Sequence, residues 1–372
     1  MKVIHSCTSK SFSGLEKYVV ELASWQKEQG YDVEIFCRRN TELQAQAKKQ
    51  DIPTWTIEVD TKISPWLWQK MNFIWQKKSS QQPIALHMHA GGEPWFHLPW
   101  LMFKPKNLKK IILHYHIWIN HFKKDPLHYF LFSRINEFWT SSDALQVHLA
   151  ELLPVNKQKI YVIPYGRNLK ELQSLSKEAC RQKKRKEYGI PENALVGICV
   201  SRIEPLKGIE ELLDAFVCVA EKFPLAVLWI VGDVSPADEN AQIYFEKILK
   251  KHVSLNSDIK ERIHFLGYRS DFLELIAAAD FYVLPSYEEC MSLALLDAFL
   301  LDLPLIGTNS GGTPSIIGKN GILFQPRSVD ALTQALKVFC QNSKKYIGVS
   351  SPQKEFFDKE KVFKKIWDWY NR

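Results

Sequence analysis

The chain has 372 residues, 46% of them apolar, with 49 Lys and Arg against 41 Asp and Glu and a net charge of +8. That length exceeds the size at which one hydrophobic core keeps growing and the apolar content is ample for packing, so two globular domains are expected and large-scale disorder is not. Seven scattered cysteines (Cys7, Cys37, Cys180, Cys199, Cys218, Cys290 and Cys340), never spaced CxxC, exclude a disulfide framework or a cysteine zinc site and predict reduced thiols in a cytoplasm.

The opening KVIHSC predicts a strand and follows the first methionine without a basic, apolar leader, so no cleaved targeting segment is expected. LEKYVVELASWQKEQG then repeats apolar residues at helical spacing and stops on Gly30. YDVEIFC, IALHMH, IILHYHIW, EFWTSS and KIYVIPYG read as further strands, and their alternation with helices predicts a parallel sheet covered on both faces. Residues 170–187 turn polar and basic, the composition of a linker with a helical start. A second series follows: strand ALVGICVSRI, helix IEELLDAFVCVAEKF, strand AVLWIVGD, helix AQIYFEKILKKHV, strand IHFLGY, helix FLELIAAAD, strand FYVLPS, helix SLALLDAFLLD, strand PLIGTN and helix SVDALTQALKVFC. The final KVFKKIWDWYNR has an apolar face that needs a partner. The expected division is 1–168 as one Rossmann-like domain, 169–350 as a second, and 351–372 as a helix packing back on the first. The fold class is α/β, two doubly wound domains facing a cleft, because ligands of such sheets sit beyond the carboxyl ends of the strands. No apolar run approaches eighteen residues, so no membrane span is expected.

Charge is uneven along the chain. Residues 1–168 carry 22 Lys and Arg against 14 Asp and Glu, the whole of the excess, together with nine of the twelve tryptophans. A basic surface rich in Trp suits anionic headgroups or carbohydrate. Residues 62–78 and 94–110 combine tryptophans with lysines most densely, which predicts contact with an anionic membrane surface and a cytoplasmic protein peripheral to the inner face of the plasma membrane. The plainer reading is that the rings are core and the lysines merely solvated.

Four strand-to-helix junctions carry chemistry. In SFSGLEK, Gly14 lets the backbone approach a phosphate at a helix N-terminus, although such a glycine is more often only a turn. In SRIEPLKG, Arg202 and Lys207 place two cations beyond a strand, a poor arrangement for stability and a good one for a diphosphate; the alternative is a solvated surface pair. In PSYEECMSLALLDAF, Ser292 caps a helix whose first amides, including that of Leu293, can meet an anion, and Glu289 with Asp297 can accept hydrogen bonds from vicinal hydroxyls. An exposed helix position is the simpler account of Asp297. The fourth junction, TNSGG, brings Gly311 and Gly312 close to a ligand or forms a plain turn.

Taken in order, Gly14 before a helix, Arg-x4-Lys-Gly at 202–208, VGD with Gly232 and Asp233, FLGY ending on Tyr268, PSYEECMSLALLDAF and GTNSGG resemble the retaining nucleotide-sugar glycosyltransferases of family 4, with the GT-B architecture. The resemblance implies that Glu289 binds donor-sugar hydroxyls, Asp297 the ribose, and Arg202 with Lys207 the diphosphate, with no metal and no other cofactor. It also places His116 near the donor sugar. Departures are Asp297 where Glu is usual, Cys290 and Ser292 where glycines are usual, Ser13 for the first glycine of a pair, and Tyr165 where Asn is common. The implied function is sugar transfer with retention from a nucleoside diphosphate to a glycan or lipid-linked hydroxyl, in bacterial surface polysaccharide or lipopolysaccharide synthesis. Nucleic acid is not an expected partner.

Two other readings stand beside it. His87 with His89 and His114 with His116 have legitimate metal-ligand spacing, which would suit a metal-dependent hydrolase, although a buried, hydrogen-bonded histidine is more common than a ligand. The second is a sugar- or nucleotide-binding protein without catalysis on the same fold.

Overall fold

The computed structural model describes residues 1–58, 68–69, 82–235, 238–319, 321–346 and 352–372. The chain divides into two compact units, Met1–Gly166 with Glu360–Arg372, and Arg167–Lys359. The division thus falls two residues before the boundary expected at 168, and residues 352–359 stay with the second unit.

The first unit is built on seven parallel strands: β1 (Lys2–Cys7), β2 (Asp32–Arg38), β3 (Thr54–Ile57), β4 (Ile84–Met88), β5 (Leu108–Tyr115), β6 (Glu137–Thr140) and β7 (Ile160–Val162), in the order β3-β2-β1-β4-β5-β6-β7. Their apolar runs are buried on both faces, as a parallel sheet covered by helices requires. The strand order reverses between β1 and β4, the point where such sheets bind ligands. The C-terminal helix Lys359–Tyr370 completes this unit: Val362, Phe363, Ile366 and Tyr370 are at most 4% exposed, and Trp367 stacks on Tyr31 with ring centroids 3.5 Å apart.

The second unit holds six parallel strands: β8 (Leu195–Val200), β9 (Ala226–Val231), β10 (Ile263–Gly267), β11 (Phe281–Leu284), β12 (Leu305–Thr308) and β13 (Gly321–Phe324), in the order β10-β9-β8-β11-β12-β13. Its reversal lies between β8 and β11. Helices Ile209–Ala220 and Val329–Gln341 bury Leu212, Phe216, Leu332 and Phe339 in one continuous core beneath the sheet.

Three expectations are corrected. Strands β3 and β13, four residues each at the edges of their sheets, were not anticipated: neither carries a continuous buried apolar run. The basic stretch read as a linker holds the helix Lys177–Glu187, where Lys184 (2% exposed) is paired with Asp271 and Arg185 (1% exposed) with Asp280, so these two charges are internal while Lys177, Lys183 and Lys186 stay exposed. Trp25, Trp55, Trp100 and Trp139 are at most 5% exposed and belong to the core of the first unit, not to a basic surface.

Candidate active site

In the second unit, the loops after β8, β9, β11 and β12 are locked to one another by glycines. Gly208 has φ +63° and a Cβ there would come within 2.4 Å of the Pro285 carbonyl; Gly232 has φ +135° and would meet the Ser201 carbonyl at 1.8 Å. Gly311, at φ +57°, would meet the Glu289 carbonyl at 2.1 Å, while Gly312 N–H donates to that same oxygen at 2.7 Å. No side chain fits at these contacts, and positive φ is the glycine region. Tyr287 N–H donates to Leu206 O at 2.9 Å and Ile203 N–H to Asp233 O at 3.1 Å, closing the assembly.

This packing puts four charged groups together at the point where strand order reverses. Lys207 Nζ donates to Glu289 Oε1 at 2.6 Å and lies 3.8 Å from Glu204 Oε1; Arg202 Nη2 is 3.2 Å from Glu204 Oε1. The Arg202 side chain is 58% exposed, so its guanidinium faces solvent with one lightly held carboxylate. Two cations balanced by two exchangeable acids suit an anionic ligand that displaces the acids. Glu204 carries no distinctive spacing in the sequence and was missed.

Ser292 caps helix Leu293–Leu300, its Oγ accepting from Leu295 N–H at 3.3 Å, which leaves Leu293 as the first helical residue facing the Glu289 loop. Burial pushes the Cys290 thiol up to about 12, so it is not a thiolate nucleophile. Asp297 is 1% exposed, which corrects the surface reading, and Arg167 holds both of its oxygens. Arg167 sits in the IPYGRN stretch, where only Tyr165 had drawn notice. Asp233 Oδ1 accepts from Val234 N–H at 2.8 Å. Tyr268 lies just past the end of the edge strand β10, 72% exposed, and β10 is two strands, about 10 Å, from β8, so the structure does not bring it to the cluster.

The remaining candidates lie in the first unit. Gly14 begins helix Gly14–Glu28, but the buried Glu16 already accepts from Ser13 N–H at 2.7 Å, so a carboxylate occupies the place read as a phosphate site. Where strand order reverses, the buried Glu93 accepts from Thr8 N–H and Thr8 Oγ1–H at 2.7 Å each and from Ser6. That carboxylate joins the loops after β1 and β4.

His116 is one of five buried imidazoles, with His5, His87, His89 and His114, on one face of β1, β4 and β5. The nitrogens of His5, His87 and His89, and of His89, His114 and His116, lie within 4.8 Å of one another. Those groups contain no carboxylate to balance a cation, and most of the nitrogens are spent on hydrogen bonds: His5 to His89 at 2.9 Å, His89 to His116 at 3.2 Å, His87 to His114 at 3.3 Å and His87 to Tyr370 at 2.6 Å. Burial holds His5 down to about 4 and His116 to about 3, and His87, His89 and His114 well below the usual range, so all five are neutral at pH 7. The hydrolase reading gains no support from this geometry.

Residues 12–171 match the family described as Glycosyltransferase Family 4, and residues 194–342 the one described as Glycosyl transferases group 1. The chain belongs to glycosyltransferase family 4. An Escherichia coli UDP-Gal:alpha-D-GlcNAc-diphosphoundecaprenol alpha-1,3-galactosyltransferase is 30% identical over 188 residues, 50% of this family 4 chain and 46% of that protein. The chain spans about half the length, or less, of the curated relatives it matches. Among solved structures, a glycosyltransferase from Rickettsia africae superposes with a TM-score of 0.82 at 19% identity, covering 99% of this chain and 97% of that one. Anabaena HepE, solved in complex with UDP, gives 0.80 at 19% identity with complete coverage of both chains. The two parallel sheets with their helices are therefore the GT-B fold of family 4.

Proposed function

We propose that this chain transfers a sugar from a nucleoside diphosphate to a hydroxyl of a glycan or lipid-linked acceptor, with retention, in bacterial surface-glycan synthesis. The observation that carries the reading is the cluster of Arg202, Lys207, Glu204 and Glu289 at the strand-order reversal of the second unit. Arg202 and Lys207 bind the leaving diphosphate and stabilise the charge that develops on it, which is where most of the rate enhancement arises. Glu289, released from Lys207 by the incoming phosphates, accepts from sugar hydroxyls. Attack proceeds on the face the diphosphate leaves, and the departing phosphate oxygen takes the acceptor's proton. No metal takes part, since side chains supply the positive charge. HepE was solved with UDP and with UDP-glucose, which puts uridine first among the donors.

A thermal-shift screen of UDP, GDP, ADP and their sugars, run with and without EDTA, tests this. One nucleoside diphosphate should stabilise the protein equally in both, and its sugar should be transferred with unchanged anomeric configuration by NMR. Binding that vanishes with EDTA and returns with manganese sinks the metal-free mechanism.

The acceptor reading extends to an anionic lipid surface at the first unit. Residues 62–67 and 70–78, including Lys77 and Lys78, lie outside the described residues. In 94–110, Trp100 is buried and Lys110 Nζ is tied to Glu137 at 2.9 Å and to Trp369 O at 2.6 Å, so neither serves a membrane. Met102, Phe103, Ile117, Phe122, Leu127 and Tyr129 are exposed large apolar side chains among the exposed Lys104, Lys106, Lys109 and Lys124. Vesicles with anionic lipid should bind the protein in a salt-sensitive way, and Lys104, Lys106 and Lys109 changed together to Gln should weaken it. Equal failure to bind anionic and neutral vesicles at low salt favours a soluble acceptor.

A further inference from the structure

The buried imidazoles contain a continuous row. His5 Nε2 lies 2.8 Å from Gln26 Oε1, His5 Nδ1 lies 2.9 Å from His89 Nε2, His89 Nδ1 lies 3.2 Å from His116 Nε2, and His116 Nδ1 lies 2.8 Å from the Tyr165 hydroxyl. Every member is buried: Gln26, His5 and His89 at 0% exposure, Tyr165 at 6% and His116 at 7%. A neutral imidazole has one N–H and one bare nitrogen, so each ring must donate on one side and accept on the other. A row of such rings has only two consistent arrangements, with all hydrogens pointing one way or all the other.

The amide oxygen of Gln26 selects between them, because it can only accept. His5 must then carry its hydrogen on Nε2, which bares Nδ1 to accept from His89 Nε2–H. His89 Nδ1 in turn accepts from His116 Nε2–H, and His116 Nδ1 is left to accept from Tyr165 O–H. We propose that Gln26, His5 and His89 are positioning residues that hold His116 in the Nε2–H form, so that its Nδ1 meets a substrate hydroxyl as an acceptor and Tyr165 occupies that place beforehand. This deepens the transferase reading and rests on it, in that His116 is taken to meet a substrate hydroxyl. His116 cannot then donate to the substrate, since its single hydrogen is committed inward to His89.

The test is two-bond 1H–15N correlation of the histidine side chains at pH 7 in the full chain, with kcat and KM measured in parallel. In the wild-type protein His5, His89 and His116 should all appear as Nε2–H tautomers. Gln26→Met keeps the side-chain length and removes the acceptor; it should redistribute the tautomers of all three rings and lower kcat about tenfold, one neutral hydrogen bond's worth, with donor KM little changed. Gln26→Leu serves if the methionine variant does not fold, and the wild-type spectrum is decisive without either. An Nδ1–H tautomer or an imidazolium at any of the three rings in the wild-type protein overturns the proposal. So do tautomers unmoved in the Gln26 variants, or moved tautomers with unchanged kcat. A protein inactive with every donor defeats the transferase reading alone, because the ring spectra decide the row in either case.

Discussion

Arg167 grips Asp297 with two parallel hydrogen bonds, Nε to Oδ1 at 2.6 Å and Nη2 to Oδ2 at 2.8 Å, around a carboxylate that is 1% exposed. Such a fork is specific in geometry, and breaking a buried pair by removing one partner costs far more than the pair contributes. Arg167→Met should therefore destabilise the protein by about 3 kcal/mol, measured by urea unfolding. Asp297→Glu, which adds a methylene to a filled site, should cost about 1–3 kcal/mol. Unchanged midpoints in both would show that the pair is not held as described.

Arg202→Ala and Lys207→Ala should each lower kcat about a hundredfold, as removal of one preorganised contact to a developing anion does. Arg202 is largely exposed, so its variant should unfold at the wild-type midpoint. Near-normal turnover in both variants places the diphosphate elsewhere.

Gly311→Ala forces a Cβ to within 2.1 Å of the Glu289 carbonyl at a positive φ, and a backbone oxygen cannot step aside as a side chain can. The loop carrying Glu289 must shift. Stability should fall by about 1–3 kcal/mol, and activity should fall with it even though residue 311 has no side chain to contribute to chemistry. A variant crystal structure with Glu289 still on Lys207 contradicts this.

The buried imidazoles set an acid limit. Their folded pKa values lie below the unfolded value of about 6.5, with His5 at about 4 and His116 at about 3. Above 6.5 both states are neutral and the contribution to stability is complete. As pH falls through 6.5 the unfolded chain takes up protons that the native chain refuses, so stability is lost progressively down to the folded values. Urea midpoints measured from pH 7.5 to 4.5 should drop steeply below 6.5, and a flat profile would mean the rings are not buried neutral.

Much of this was legible in the sequence. Apart from β13, the strands of the second unit are apolar runs alternating with amphipathic helices, and their order was readable from that alternation. Arg202, Lys207 and Glu289 stand out in the sequence because charge beyond an apolar strand is unusual. Asp297 stands out for the same reason, but its pairing with Arg167, 130 residues away, has no local signature. Gln26 and His5 were invisible for a related reason. A single glutamine on an amphipathic helix and a single histidine in a strand look ordinary until folding places them 2.8 Å apart. The tryptophans misled because aromatic rings serve cores and surfaces equally, and sequence position does not tell which.

The return of residues 360–372 to the first unit bears on how the protein is made. Phe363, Ile366 and Tyr370 are part of that unit's interior, and Tyr370 caps the His87 ring. On the ribosome these residues emerge only after the whole of the second unit, Arg167–Lys359, has been synthesised. The usual order, in which the N-terminal domain folds first, is then reversed in its final step. The contiguous second unit can complete its core while the first waits with its sheet partly uncovered, its buried imidazoles within reach of water and protons until the last helix arrives.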